Sequence, residues 1–302
     1  MLRVLVMAAM LGSGIACAEE TAAISKLPAY ILQLPAAVGS ALIAETDTST
    51  MYRYEQTENG IEPRERRYMS VGENGVGKQR AWDRRTPLGI YFANEQLDTS
   101  RMHERYGVTA FPLDYPNAWD HLNERSGDGI WIHGVAHHGG RRPPLDTDGC
   151  IALPNEELLE LEKHFQLLIT PVIVTRRIEK SSREQIAATR DELKAVLDDW
   201  VQSFRAGDWH RYLSLYADEF EYRGLDRDEW SAYRTRSAAT RSLRDYSIDD
   251  VLLLADPEQA GLFLSRFRQT IVDANGRIVT IKRLYWQRSQ DGVLRIIAED
   301  NG

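Results

Sequence analysis

The two residues with the most chemistry to offer are His133 and Cys150, each beside a glycine, in Ile132-His133-Gly134 and Asp146-Thr147-Asp148-Gly149-Cys150-Ile151. A thiol at neutral pH is mostly protonated and needs a base or a cation before it can attack a carbonyl. A nearby imidazole serves as that base and later returns the proton to a leaving amine. Gly149 lets the backbone turn tightly ahead of the sulfur, so the amides of Gly149 and Cys150 are expected to face a developing oxyanion. Each such donor is worth about 3 kcal/mol. The spacing points to cysteine-nucleophile catalysis. His137, His138, Asp146 and Asp148 raise the question of a metal, but the loop around Gly140 provides no helix face to align them. Thiolate–imidazole chemistry needs no metal, so neither a metal nor another cofactor is expected.

These residues must be positioned by strands and loops. Ala41-Leu42-Ile43-Ala44 and Met51-Tyr52-Arg53-Tyr54 flank a polar turn and predict a hairpin. Arg67 to Gly72 reads as a further strand closed by Glu73-Asn74-Gly75, and Gly129 to Gly134 as a short strand that delivers His133. Pro171-Val172-Ile173-Val174-Thr175 is a β-branched strand that ends this half. Asn155 is predicted to cap a helix with acids in its first turn. Residues 179–184 read as a linker. Beyond it Leu193, Val196, Leu197, Trp200, Val201 and Phe204 recur at helical spacing, and Gly207 stops that helix. A second short helix follows, then a meander of strands with Asn275-Gly276 and Asp291-Gly292 as hairpin turns. Helices followed by a meander make an α+β domain. With its own helix, turns and aromatic residues, the segment 185–302 is expected to fold when detached.

The 302 residues suit two domains, and a 43% hydrophobic fraction suffices for ordinary cores. The net charge of −8 argues against a general nucleic-acid binder, which would show a basic face. No apolar run reaches the roughly 18 residues that span a bilayer, so no transmembrane segment is expected. Met1-Leu2-Arg3, the apolar stretch Val4 to Ile15 and the small residues Ala16-Cys17-Ala18 form a secretory signal layout over residues 1–18. In a bacterium that means export to the periplasm. Cleavage would remove Cys17 and leave Cys150 as the lone cysteine in an oxidising compartment.

At these residues the chain resembles the L,D-transpeptidase (YkuD) family of peptidoglycan enzymes. The resemblance rests on Val71-Gly72-Glu73-Asn74-Gly75, Thr86-Pro87-Leu88-Gly89, His133-Gly134 and Gly149-Cys150, in this order. It implies a mostly-β catalytic domain over 28–178, with Cys150 as nucleophile, His133 as base and the Gly134 carbonyl holding the imidazole tautomer. Two positions depart from the family pattern: Asp148 stands where the family has His, and Ala152 where it has Arg or Asn. A similar departure marks the branch that includes peptidoglycan L,D-carboxypeptidases with a nuclear-transport-factor-like (SnoaL-like) second domain. Residues 185–302 resemble that cone-shaped α+β domain in element order and aromatic placement. Trp200, Tyr212, Tyr216, Phe220 and Tyr285 are candidates for its pocket.

What the resemblance implies is attack by Cys150 on the stem peptide at the L-centre of its third residue, with release of the terminal D-amino acid. The thioester then passes to an amine (L,D-transpeptidase) or to water (L,D-carboxypeptidase). Arg141 and Arg142, between base and nucleophile, are candidates to hold a stem-peptide carboxylate. Trp131, Tyr115 and Asp148 are further substrate-binding candidates, the two aromatics as core or cleft wall. A glycan strand or a protein partner is expected at the C-terminal domain. The competing class is a non-catalytic wall- or partner-binding protein, which would not need both His133 and Cys150; a zinc peptidase is a third.

Overall fold

A computed structural model describes residues 26–302 apart from 59, 139 and 240–242; the predicted signal segment lies outside them. The two alternating runs form the antiparallel hairpin Ser40–Glu45 and Thr50–Thr57, with Ala41 opposite Tyr54 and Ile43 opposite Tyr52. Gly60–Tyr68 extends it on one side; Pro171–Thr175 joins on the other, parallel to Ser40–Glu45, followed by the antiparallel edge strand Gly89–Phe92. Every residue of Pro171–Thr175 is buried, as its continuous β-branched run requires of a strand covered on both faces.

Side chains alternate across that five-stranded sheet, and the two faces have different partners. Leu42, Ala44, Tyr91, Val172 and Val174 pack on Phe111, Ile132, Ile151 and Leu158, the core beneath the chemistry. Ala41, Ile43, Ile90, Phe92 and Ile173 pack instead on Leu252, Leu254, Leu264, Tyr285 and Ile297, which belong to the C-terminal half. Burying one such Leu or Ile stabilises by about 2 kcal/mol, so this junction is a third core rather than a hinge. Arg283 crosses it to pair with Asp114, whose carboxylate also accepts from the Phe92 amide.

Among the described residues the C-terminal half forms, with one N-terminal strand, a seven-stranded sheet with three helices. Its strand order is Leu225–Asp226, Tyr216–Tyr222, Leu294–Asp300, Gly276–Arg288, Leu262–Asp273, Asp245–Ala255 and Ile31–Gln33. Helix Arg183–Ala206 starts in a capping box between Ser182 and Gln185 and ends at Gly207, whose φ of +68° is cheap only for glycine. It buries Leu193, Leu197, Trp200, Val201 and Phe204 among Phe267, Leu253 and Trp286. Register shifts near Asp249 and Tyr285 mark bulges that bend the long strands.

Four features differ from the sequence-based expectations. The stretch read as linker is ordered: Lys180–Ser182 pairs antiparallel with Lys26–Pro28, and the helix begins at Arg183. Ile31–Gln33, expected in the catalytic domain, adds an edge strand to the other domain's sheet. Helix Arg227–Ala239 was not anticipated, because its surface is mostly polar and Trp230 is its fully buried anchor. Finally, a detached 185–302 fragment would lose an edge strand and bare the apolar sheet face at the junction. Independent folding is therefore not expected of it.

Candidate active site

Strand Trp131–His133 lies between Ala110–Pro112, antiparallel, and Ile151–Ala152, parallel, with Ile132 beside Ile151 and Ala152 beside His133. Ile132 and Ile151 point into the core. By strand alternation, Trp131, His133 and Cys150 then project from the opposite face, with Cys150 one register step from Ile151. The register thus places His133 and Cys150, the two residues singled out from sequence, on one face of this small sheet.

His133 is buried, and its Nδ1 lies 2.6 Å from the Gly134 carbonyl oxygen. A carbonyl can only accept, so Nδ1 carries the proton and Nε2 keeps its lone pair. Burial pushes the imidazole pKa down to about 4, helped by the cations of Arg142 and Arg105 and opposed by the Gly134 bond. Burial likewise pushes the Cys150 thiol up; the Trp131 amide opposes this, as do Arg105 and Arg142, while Asp148 adds to it. The thiol donates to the Gly129 carbonyl at 3.3 Å. At rest the pair is a neutral thiol and a neutral imidazole, not an ion pair.

The buried part of the loop before Cys150 is held by neutral hydrogen bonds. Thr86, fully buried, accepts from the Gly72 amide at 2.9 Å and donates to the Gly149 carbonyl at 2.8 Å, so one hydroxyl ties the glycine turn to the nucleophile loop. Gly149 has φ +125°, and a Cβ there would fall 2.7 Å from the Arg85 carbonyl oxygen. Its amide, expected to face an oxyanion, instead donates to the Thr147 hydroxyl at 3.1 Å, and that hydroxyl donates to the Cys150 carbonyl. Asn155 does not cap its helix: Pro154 occupies that position. The Asn155 amide clamps the chain after His133, accepting from Val135 N at 2.9 Å and donating to Val135 O at 2.8 Å.

The predicted substrate contacts divide. Trp131 is half-buried and packs against Tyr106, ring centroids 4.9 Å apart. Arg142 bonds Asp146 at 2.7 Å yet stays near enough to influence both His133 and Cys150. Arg141 turns away, its guanidinium 3.4 Å over the Tyr68 ring. Asp148 is exposed between Arg105 and Arg84. Tyr115 does not join the site: it is buried in the core against Tyr91 and borders a cavity of about 700 Å³ between the domains, with Asp114 and Arg283. Arg105 and Tyr106 were missed. Tyr106 sets its ring edge-on to His133 at 5.3 Å and accepts from Arg105 at 2.9 Å. Their signal was Gly107, where a Cβ would meet Asn155 Oδ1 at 2.3 Å. No group of three or more His, Cys, Asp or Glu residues able to hold a metal occurs among the described residues, and none of their helices is long and apolar enough to cross a membrane.

In the C-terminal domain a cavity of about 200 Å³ is lined by Trp200, Tyr222, Trp230, Tyr233, Arg234 and Lys282, among others. Of the aromatics predicted there, Trp200 lines it, Tyr212, Tyr216 and Phe220 are core, and Tyr285 faces the domain junction. Buried Lys282 pairs with buried Glu299, which also accepts from the Tyr216 hydroxyl at 3.1 Å.

Residues 40–174 match the family of L,D-transpeptidase (YkuD) catalytic domains, and residues 192–300 match the Cds6 C-terminal NTF2-like domain. Among solved structures the chain is similar to Bd1075 of Bdellovibrio bacteriovorus, with 21% identity, TM-score 0.74, and 92% of this chain and 98% of that one covered. It is also similar to the helical cell shape determining protein Pgp2 of Campylobacter jejuni, with 22% identity, TM-score 0.71, and 87% and 91% covered. At these identities the likeness is one of fold. No curated protein matches the sequence.

Proposed function

On the premise that this chain carries a YkuD L,D-transpeptidase catalytic domain followed by an NTF2-like domain, we propose that it is an exported cysteine enzyme that cuts peptidoglycan stem peptides at the third residue. The observation that carries this reading is a buried neutral thiol and a buried imidazole on one face of a small sheet, the imidazole fixed as the Nδ1–H tautomer. On substrate arrival, Cys150 gives its proton to His133 Nε2 as the sulfur attacks the carbonyl carbon. The tetrahedral oxyanion is met by the Cys150 amide, since the Gly149 amide is spent on Thr147. His133 then protonates the amine of the departing D-amino acid, and the thioester is opened by water or by a second amine with His133 again taking the proton.

The cations of Arg142 and Arg105 beside this pair suit a stem-peptide carboxylate, with Trp131 and Tyr106 as an apolar wall. The C-terminal cavity, with its aromatics and cations, is proposed to grip a remote part of the same polymer, so that contacts away from the scissile bond orient it.

Mass spectrometry of purified sacculus fragments after incubation with the protein tests this. Tripeptides mean hydrolysis; dimers linked through two third-position residues mean transfer. Cys150→Ala should release no D-amino acid while keeping its fold, and normal turnover by that variant would overturn the assignment.

A further inference from the structure

Trp82 is 95% exposed, by far the most exposed large apolar side chain among the described residues. A single exposed hydrophobe needs no explanation, but this one sits on an expensive support. Its φ is +64°, and that of Arg84 is +55°; a bulky residue in the left-handed region is a real outlier. Such strain persists only where the surroundings impose it.

The surroundings do. The Asp83 carboxylate accepts from the backbone amides of Gln79 at 2.8 Å, Arg80 at 3.1 Å and Arg85 at 3.0 Å, and from the buried Lys78 ammonium at 2.8 Å. The Asn74 side chain donates to the Asp83 carbonyl at 3.0 Å, and its amide to the Arg84 carbonyl at 3.2 Å. Trp82 is displayed on a stiff loop, so holding it against a ligand costs little further entropy.

The same loop is fastened to both segments that hold the thiol. On one side the Arg85 carbonyl abuts Gly149, and Thr86 bonds the Gly149 carbonyl. On the other, the Ser126 amide donates to the Gln79 carbonyl at 3.0 Å, and Gly127 packs on Ala81, just ahead of Gly129, the acceptor of the Cys150 thiol. Whatever Trp82 touches is thereby held in register with Cys150.

A flat indole ring, rigid and open to water, matches the apolar C–H face of a pyranose ring. Arg80 and the two residues after Asp83 are exposed cations of the same loop, although Arg84 is paired with Glu73 and Arg85 donates to the Val76 carbonyl at 3.0 Å, so the indole face is the recognition element. We propose that Trp82 is a sugar-stacking residue that seats an amino sugar of the glycan strand beside the Gly149-Cys150 loop, presenting the attached stem peptide to Cys150. This rests on the reading of the substrate as peptidoglycan.

The test compares full-length wild type, Trp82→Ala and Trp82→Phe on a sugar-free tetrapeptide and on the disaccharide-linked tetrapeptide. Trp82→Ala should raise KM for the sugar-bearing substrate about tenfold with little change in kcat, leave the free tetrapeptide within about twofold, and be largely rescued by Trp82→Phe. Equal loss on both substrates, or no loss on either, overturns the proposal. A second measurement does not depend on turnover: calorimetric titration of peptide-free glycan oligosaccharide into Cys150→Ala, with and without Trp82→Ala. Saturable binding that the second change removes supports sugar stacking even if no peptidase activity is found, whereas identical isotherms refute it. Loss of self-association on Trp82→Ala, with glycan binding intact, would assign the residue to a contact between copies and refute it equally.

Discussion

At His133 and Cys150 burial disfavours charge on both partners: the imidazole falls to about 4, the thiol rises, and each rests neutral on a backbone carbonyl. Lys282 and Glu299 in the C-terminal domain are as deeply buried, yet they meet as an ion pair, with Tyr216 donating to the carboxylate. Burial pushes the Lys282 ammonium down, and Glu299 pulls it back. Apolar surroundings thus act in opposite ways according to what faces the group. A neutral pair can exchange a proton when a substrate arrives. An ion pair of this kind is a fixed electrostatic feature, costly to break and suited to holding rather than reacting.

The largest effect expected from this contrast is at His133. His133→Gln keeps a polar group but removes the base, and kcat/KM should fall about a thousandfold. With the wild type, the acid limb of kcat/KM should lie near pH 4 rather than near 6.5, because only the neutral imidazole can take the thiol proton. Stability follows with a definite sign. The unfolded imidazole titrates near 6.5 and the folded one near 4, so the unfolded chain binds more protons between those values. The His133 contribution is complete above pH 6.5 and declines by about 3 kcal/mol as pH falls through that window, while Asp256, pushed up to about 6 by burial, acts with the opposite sign below pH 6. Denaturant melts at several pH values should show this slope as the difference between the wild type and His133→Gln, since Asp256 contributes equally to both; a rate limb at 6.5 would break the comparison.

A smaller effect, and one on stability rather than rate, is expected at the ion pair. Lys282→Met strands a buried carboxylate and should cost about 3 kcal/mol. Lys282→Met combined with Glu299→Gln should recover most of it, since the amide oxygen can still accept from Tyr216. Thermal unfolding of both variants reads this. If the single change is silent, Glu299 reaches solvent, and the pair is not the sealed counterpart of His133 and Cys150.

How far the sequence revealed this arrangement follows from range. The hairpin at Ser40–Glu45 and Thr50–Thr57, the buried strand Pro171–Thr175 and the long helix ending at Gly207 were legible because alternation, β-branching and capping are local signals. His133 and Cys150 were legible through the glycines beside them. What escaped depended on partners far along the chain. Ile31–Gln33 pairs with a strand over two hundred residues away, and nothing in three residues announces that. Asn155 looked like a cap because its sequence context is that of a cap; only the approach of Val135 shows its other use. Gly149 was expected to offer its amide, and only the fold shows Thr147 taking it. Arg105 and Tyr106 sit in a short 3₁₀ turn that carries no periodicity, so Gly107 beside them was the one mark they left.

The smallest expected effect concerns what holds the neutral pair in place. The exposed ion pairs of Asp148 lie at the surface; inside the protein the Gly149 carbonyl is held by the Thr86 hydroxyl, which bridges it to the Gly72 amide. Thr86→Val keeps the shape and deletes the bridge, leaving a buried donor and a buried acceptor unpaired. Each such group costs about 1–3 kcal/mol if it finds no new partner, and relaxation of the loop will reduce that. The relaxation is what should reach the chemistry: a shift of Gly149 moves Cys150 relative to His133, and kcat should drop about tenfold with KM nearly constant. Thr86→Ser retains the hydroxyl and should stay close to wild type. If Thr86→Val loses stability but keeps kcat, the bridge supports the fold without positioning the sulfur. In that case the Asn155 clamp and the sheet register of Ile151 on Ile132 suffice to keep the thiol and imidazole in range of each other.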